Sequence, residues 1–453
     1  MKTILSIFII AIIIIDLGGC ATYKTVPLNS ENINKSLQVP PLHKLEQQVN
    51  QIKNPLIPKH ALKKPLSISE IAEFAVLLNS QLNIERLNLG LIKANLEQAK
   101  LLPNPKISFN LSKPISGTLT NPYIAYGISP SFDLGSIIQR NAKIKTGQLE
   151  LESKSIQLKW DEWQVYENAK LLALNFIVLS NKITLLKEIE HLKQEQFDVL
   201  YKFYKQGLVN KIEMLNAQDQ LQRTKMEVQS NEKLLINAKN ELYKFLGLTY
   251  DYKLCVDTNL KLKIPINLPK KTTLLDKVNN RLDLIAIKLA YESNEEKLKQ
   301  LVFSQFMPIS ISFPFARDTS DVHTLGFGIN ISFPIFNHNQ GTIKYTQIST
   351  EKIYNQYISR LRDAQIDIDK TMSNLKNIYQ AYEVVSNNLE RIENTQNIYK
   401  IAFEDGNVSL LSYYNIKENL IKEKLALLDL KQSFYNNLIA LEVSCGQNLR
   451  IAD

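Results

Sequence analysis

Few residues of this chain stand in arrangements that could do chemistry, and the most specific is a thiol near the start. Lys2 supplies a minimal positive charge, Ile4 to Ile15 form an apolar run, and Leu17-Gly18-Gly19-Cys20 closes it. The run is too short for a comfortable membrane span and fits a secretory signal peptide over residues 1–19. Cys20 is the thiol that stands at that junction. The other two thiols, Cys255 and Cys445, could pair in an oxidising compartment, but two cysteines make no framework and unpaired buried thiols are expected. His43, His60, His191, His323 and His338 are scattered without ligand spacing, so neither a metal site nor a cofactor is expected. A phosphate-cradling glycine loop and a nucleophile elbow are both missing, which argues against an enzyme.

The segment ending in Cys20 resembles a bacterial lipobox, in which the acylated cysteine becomes the mature N-terminus, and the resemblance implies Cys20 as the lipidation site. Acyl chains there bury enough CH2 groups to anchor the chain stably. Ala21, in place of an aspartate, points to delivery to the outer membrane of a Gram-negative cell. The net charge of +9 is spread over Lys-rich segments interleaved with Glu and Asp, as on solvated helices, without the single basic block that nucleic acid would call for.

What must position any functional group is a doubled architecture. Tyr204-Lys205-Gln206-Gly207 opens a heptad series at Met214, Leu221, Val228, Leu235 and Leu242 that closes on Gly247. Phe403-Glu404-Asp405-Gly406 opens Tyr413, Leu420, Leu427, Phe434 and Leu441 and closes on Gly446, at a constant offset of 199 residues (406 minus 207, 446 minus 247). Before the first copy lies a stretch rich in prolines (Pro27, Pro40, Pro41, Pro55, Pro58, Pro65), read as an extended tether over 20–66 packed along the outside of something else. Ser67-Ile68-Ser69-Glu70 is a helix start. The boundaries are therefore repeat one over 67–248, a linker over 249–272, repeat two over 273–447 and a tail over 448–453.

Each repeat reads as helix, two strands, then a long helical hairpin. The first helix of repeat one runs to Leu101-Leu102-Pro103-Asn104-Pro105, and its counterpart from Arg281 to just before Met307-Pro308. The hydrophobic period then falls to two. Ile107, Phe109 and Leu111, then Tyr123 to Phe132, give two strands; Ile309 to Phe315 and Leu325 to Ile335 give two more, the last predicted as one continuous strand. Apolar groups alternate with Gly, Asn and Ser, which suits a transmembrane strand or a soluble sandwich. Four strands cannot close a barrel in lipid, where every backbone group must be paired. Several chains would have to pool them.

The helices carry a 3.5-residue period: Val178, Leu185, Leu192 and Val199 in one, Leu375 to Phe403 in the other. A helix of about seventy residues would be on the order of 100 Å long at 1.5 Å per residue. Gly207 and Gly406 let each turn back on itself. A plain coiled-coil stalk with soluble strands remains the competing architecture.

At this point the chain resembles the TolC-like outer-membrane efflux proteins over nearly all of its mature length. The carriers are Leu101-Leu102-Pro103-Asn104-Pro105, Phe132-Asp133-Leu134-Gly135 with Arg140, Phe333-Pro334-Ile335-Phe336 with Gly341, and the tip motif Gly207 with Glu213-Met214-Leu215-Asn216-Ala217-Gln218. The resemblance implies a mainly α fold with β, a homotrimer whose twelve strands form one outer-membrane barrel continuous with a periplasmic helical barrel. It implies a passive duct, a periplasmic adaptor and an inner-membrane transporter. Gly207, Leu208, Glu213, Gly406, Val408 and Leu411 are then the candidates for adaptor docking at the hairpin tips. The acidic gate positions of well-known members, six and nine residues after the second tip glycine, are Ser412 and Asn415 here, which leaves Glu213 to supply a gate ring. Cargo is expected to be drugs or other small toxic compounds. The Leu-Pro-Asn-Pro and Phe-Asp-Leu-Gly segments also fit the heavy-metal branch, and type I protein secretion is a further transport role.

Overall fold

The computed structural model describes residues 25, 27–60, 65–117, 123–258, 264, 269–305 and 309–449. The expected signal peptide and Cys20 lie outside the described residues. The chain divides into two compact units, residues 1–41 and 42–453. The first holds α1 (Ser30–Leu37), capped by the Asn29 side chain on the Asn32 amide.

The second unit opens with α2 (Leu42–Val49). Leu45 and Val49, one helical turn apart, are fully buried, and Ile52 and Ile57 follow them inward. Asn54 donates to the Lys159 carbonyl at 2.7 Å. The stretch expected as an extended tether is thus helical over Ser30–Leu37 and Leu42–Val49, with Leu45, Val49, Ile52 and Ile57 packed inward.

Ser67 caps α3 (Ile68–Leu78) in a capping box with Glu70, as its sequence predicts. The single helix expected up to Leu101 is instead broken at Asn79, and α4 (Ser80–Lys100) starts afresh. Asn79 caps the Leu82 amide at 3.1 Å and donates to the Phe245 carbonyl at 2.9 Å, so a partner 166 residues away fixes the break.

Two long hairpins follow the same plan. α5 (Leu134–Lys205, 72 residues) turns into α6 (Lys211–Leu246), and later α9 (Gln340–Glu404, 65 residues) turns into α10 (Leu410–Cys445). Between them come α7 (Lys271–Lys277), a short 3-10 turn (Val278–Asn280) and α8 (Leu282–Ser304). α5 packs on both α6 and α10, and α10 also packs on α9, so the long helices run side by side in the order α6, α5, α10, α9. Of the predicted heptad residues, Met214, Leu221, Val228 and Leu242 on α6, Phe434 and Leu441 on α10, and Val178 and Leu192 on α5 are buried, while Leu185, Val199, Leu235, Tyr413, Leu420 and Leu427 are half-buried. One apolar cluster joins Leu174 and Val178 to Leu284, Ile368, Leu375, Phe434 and Leu438, and a second joins Leu186, Ile189 and Leu192 to Val228 and Ile421.

The sheet comprises β1 (Lys106–Ser112), β2 (Ala125–Asp133), β3 (Ile309–Ser312), β4 (Phe315–Arg317), β5 (His323–Leu325) and β6 (Gly328–Ile331). These segments amount to four antiparallel strands. β3 and β4 continue one register along β2, from Ser131 opposite Ser312 to Ile128 opposite Phe315. β6 and β5 continue one register along β3 and β4, from Ile331 opposite Ile309 to Leu325 opposite Phe315. The gap between β3 and β4 falls at Phe313-Pro314, and the gap between β5 and β6 faces it.

The strand predicted as unbroken over 325–335 is therefore interrupted at Gly326-Phe327 and ends at Ile331. Proline is the physical reason, since Pro314 has no N–H to give across the ladder and Gly326 keeps only its bond to the Pro314 carbonyl, at 2.8 Å. Pro334 likewise cannot continue the ladder, and Phe333 and Ile335 are left exposed outside it.

A candidate duct wall with two unlike tips

Both hairpin tips are closed by backbone geometry that favours glycine. Gly207 has φ 72° and Gly406 φ 73°. At each, the glycine amide bonds the carbonyl three residues back and the next amide bonds the one five back: Gly207 to Tyr204 and Leu208 to Phe203, Gly406 to Phe403 and Asn407 to Ala402. The aromatic that precedes each glycine by three residues thus supplies a cap carbonyl.

The returning helices start differently. On α6, Asn210 caps the Glu213 amide at 2.9 Å and its amide nitrogen donates to the Glu213 carboxylate at 3.0 Å. On α10, Ser409 caps the Ser412 amide at 3.1 Å, with the two hydroxyls 2.9 Å apart. Leu208, Glu213, Leu411 and Asn415 are exposed, while Val408 and Ser412 are half-buried. The second tip also stacks Phe403 on Tyr413, ring centroids 5.0 Å apart and nearly parallel, with the Lys417 ammonium 5.4 Å from the Tyr413 ring. The structure therefore groups Gly207, Leu208 and Glu213 at one tip and Gly406, Val408, Leu411, Ser412 and Asn415 at the other.

Between the hairpins runs a polar seam that the sequence does not single out. Lys170 pairs with Glu442 at 2.7 Å, Lys182 with Asp429 at 3.3 Å and Lys193 with Glu418 at 2.6 Å. The paired residue numbers sum to 612, 611 and 611, as antiparallel helices in constant register require. Gln432 adds a bond to Asn175 at 3.1 Å. Burial works against the Glu418 charge, but hydrogen bonds from Lys193 and Lys422 outweigh it and hold the carboxyl below its usual range. Only the 3D register of α5 on α10 brings these residues together.

The sheet supplies the third feature. One face carries Ile107, Phe109, Leu111, Ile128, Phe132, Ile311, Phe313, Phe315, Leu325, Phe327, Ile329 and Ile331, with Tyr126, Arg317 and His323 at one end; the other carries Ser108, Asn110, Gly127, Ser129, Ser131, Ser310, Ser312, Thr324, Gly328 and Asn330. The apolar face is uncovered, with Phe109 63% and Leu325 81% accessible, and the polar face is also open at Ser108, Asn110, Thr324 and Asn330. A soluble sandwich would bury the apolar face against a second layer. Along the plane of the sheet, the outer edges of β1 on one side and of β5 with β6 on the other pair with no strand among the described residues. The outermost long helices are bare in the same sense: Ile212, Met226 and Ile236 on α6, and Tyr345, Ile366, Val384 and Ile398 on α9, are exposed.

Both remaining thiols are unpaired, Cys445 buried and Cys255 exposed, so only one matches the buried state expected from sequence. Among the described residues no three His, Cys, Asp or Glu side chains gather where they could hold a metal ion.

No protein-family model and no curated protein sequence matches the chain. Solved structures do. CusC, whose structures concern folding and transmembrane channel formation, superposes over 84% of this chain and 92% of its own, with a TM-score of 0.65 and 17% identity. The Campylobacter jejuni outer-membrane channel CmeC covers 84% of this chain and 85% of its own, at TM-score 0.66 and 15% identity. The fold is that of the TolC-like outer-membrane channels. The open state of the Neisseria gonorrhoeae outer-membrane channel MtrE gives a third likeness, over 85% of this chain and 90% of its own at TM-score 0.64 and 14% identity. A TolC-like fold accounts for the order of the elements, two strands before each long hairpin.

Proposed function

We propose that this chain is the outer-membrane duct of a tripartite efflux system, a passive homotrimer that passes drugs or other small toxic compounds outward. The observation that carries the reading is the sheet: four strands with an uncovered apolar face, a polar opposite face and two unpaired edges. Three copies would join β1 of one to the β5–β6 edge of the next, all neighbours antiparallel, and close twelve strands with apolar groups towards lipid and polar groups towards water. The bare flanks of α6 and α9 would meet in the same closure, giving a periplasmic helical wall. Cys20 would carry the lipid anchor.

In this reading the tips form the periplasmic entrance, where Gly207, Leu208, Glu213, Gly406, Val408 and Leu411 meet an adaptor linked to an inner-membrane transporter. Glu213, Ser412 and Asn415 would line the gate. Planar-bilayer recording on the purified full chain tests the duct: stepwise conductance is expected. A protein that inserts no pore, even with Glu213→Ala at the entrance, would overturn the reading in favour of a non-conducting structural lipoprotein. For docking, Glu213→Lys should weaken adaptor crosslinking and efflux together; unchanged crosslinking would remove Glu213 from the contact.

A further inference from the structure

The end of the α5–α10 seam furthest from the tips holds a charge imbalance. Glu167 and Lys170 on α5 and Glu442 on α10 are 1%, 8% and 2% exposed. The Lys170 ammonium lies 2.7 Å from one Glu442 oxygen and 3.0 Å from one Glu167 oxygen. Glu442 is well satisfied, because its second oxygen accepts from the Leu449 amide at 2.9 Å. Neither Glu167 oxygen has an aligned hydrogen bond, although one is within ion-pair distance of Lys170.

Two carboxylates thus face one ammonium out of water, and a net buried charge of that kind is costly. The groups acting on Glu167 are Lys170 on its own helix and Glu442 on α10. Neighbouring elements spend their charges elsewhere. On α3, Glu73 binds His60 at 2.5 Å and Glu70 binds the Ser67 amide at 2.7 Å. At the start of α8, Asp283 pairs with Arg281 at 2.8 Å and with Arg360 of α9 at 3.4 Å, while Arg281 also donates to the Ser444 carbonyl. On α4, Arg86 pairs with Glu162 of α5 at 2.9 Å; on α6, the Lys239 ammonium lies over the Tyr243 ring. Further along α10, the Cys445 thiol is held neutral by burial.

We propose that Glu167, Lys170 and Glu442 form a proton-dependent clamp between the two hairpins, with Glu167 in its neutral acid form at neutral pH and Glu442 the partner of the ammonium. Burial first, and Glu442 beside it, push the Glu167 carboxyl from 4.5 up to about 8, against the pull of Lys170. The sign follows from linkage. Between about pH 4.5 and about 8 the folded chain holds a proton that the unfolded chain releases, so stability falls as pH rises through that window and levels off above it.

The test is thermal unfolding of the full chain in detergent from pH 5 to pH 9, wild type against Glu167→Gln. Glutamine keeps the neutral form at every pH, so the two melting temperatures should lie close together at pH 5 and separate progressively towards pH 9, with the variant the more stable. A constant offset at all pH values would overturn the clamp. A second measurement avoids any folding defect of that variant. In a Glu73→Gln, Asp161→Asn background, which removes the other two carboxyls that burial raises among the described residues, infrared titration should show a carboxylic-acid carbonyl band that disappears around pH 8; absence of that band at pH 6.5 would equally sink the proposal.

Discussion

Cys255 and Cys445 both lie near the ends of their repeats yet face opposite surroundings. Burial pushes the Cys445 thiol up to about 11, while Cys255 is open to solvent. Reactivity follows the thiolate and its access. A maleimide added to the folded chain at pH 7.5 should label Cys255 within minutes and leave Cys445 untouched until denaturant is added, read residue by residue by mass spectrometry.

The pair Lys193–Glu418 makes a second prediction at this scale. Both side chains are largely out of water, and Glu418 is also held by Lys422 at 2.7 Å. Removing one partner from a buried pair costs about 3–5 kcal/mol when the charge left behind is uncompensated, and because Lys422 still offsets part of the Glu418 charge the loss here should fall below that range. Lys193→Met should therefore destabilise the helical region, and Glu418→Leu added to it should restore much of the loss; a double-mutant cycle by chemical denaturation checks this. Residues of this kind were illegible in the sequence. Lys193 and Glu418 are ordinary polar positions on their own helices, and only packing 225 residues apart gives them meaning (418 minus 193).

Among the elements, the four cap glycines are alike in backbone and unlike in surroundings. All have φ between 68° and 73°. A Cβ at Gly207 or Gly406 would meet nothing within 4 Å, whereas at Gly247 it would lie 2.9 Å from the Leu78 carbonyl oxygen and at Gly446 2.6 Å from Cγ of the buried Arg281. Alanine in the left-handed region costs about 1–2 kcal/mol by itself. Gly207→Ala and Gly406→Ala should show that loss alone, and Gly247→Ala and Gly446→Ala clearly more, ranked by melting temperature. The glycines were visible from the doubled spacing, as were the long helices from their heptads. The break at Asn79 was not, because it answers to the Phe245 carbonyl rather than to any local signal. The interruptions of the sheet at Pro314 and beyond Ile331 were written in the prolines but outvoted by strict alternation.

For the whole molecule, the uncovered sheet face is the feature to challenge. Phe109 lies on the apolar face of β1, and a lysine at mid-depth on the lipid side of a barrel costs about 2–4 kcal/mol. Phe109→Lys should reduce insertion into vesicles, whereas Asn110→Lys, on the opposite face, should leave it intact. Flotation of the folded protein with liposomes separates the two, and equal loss in both variants would count against the facing of the sheet.

The unpaired edges have a kinetic meaning as well. A lone copy presents aromatic rings and aliphatic chains to any aqueous compartment and bare amides to any bilayer, so neither solvent suits it. In the proposed trimer, completing the sheet needs encounters between chains before, or during, entry into lipid. The rate of pore formation should rise more steeply than linearly with protein concentration, a reaction order that a self-sufficient monomeric barrel would not show.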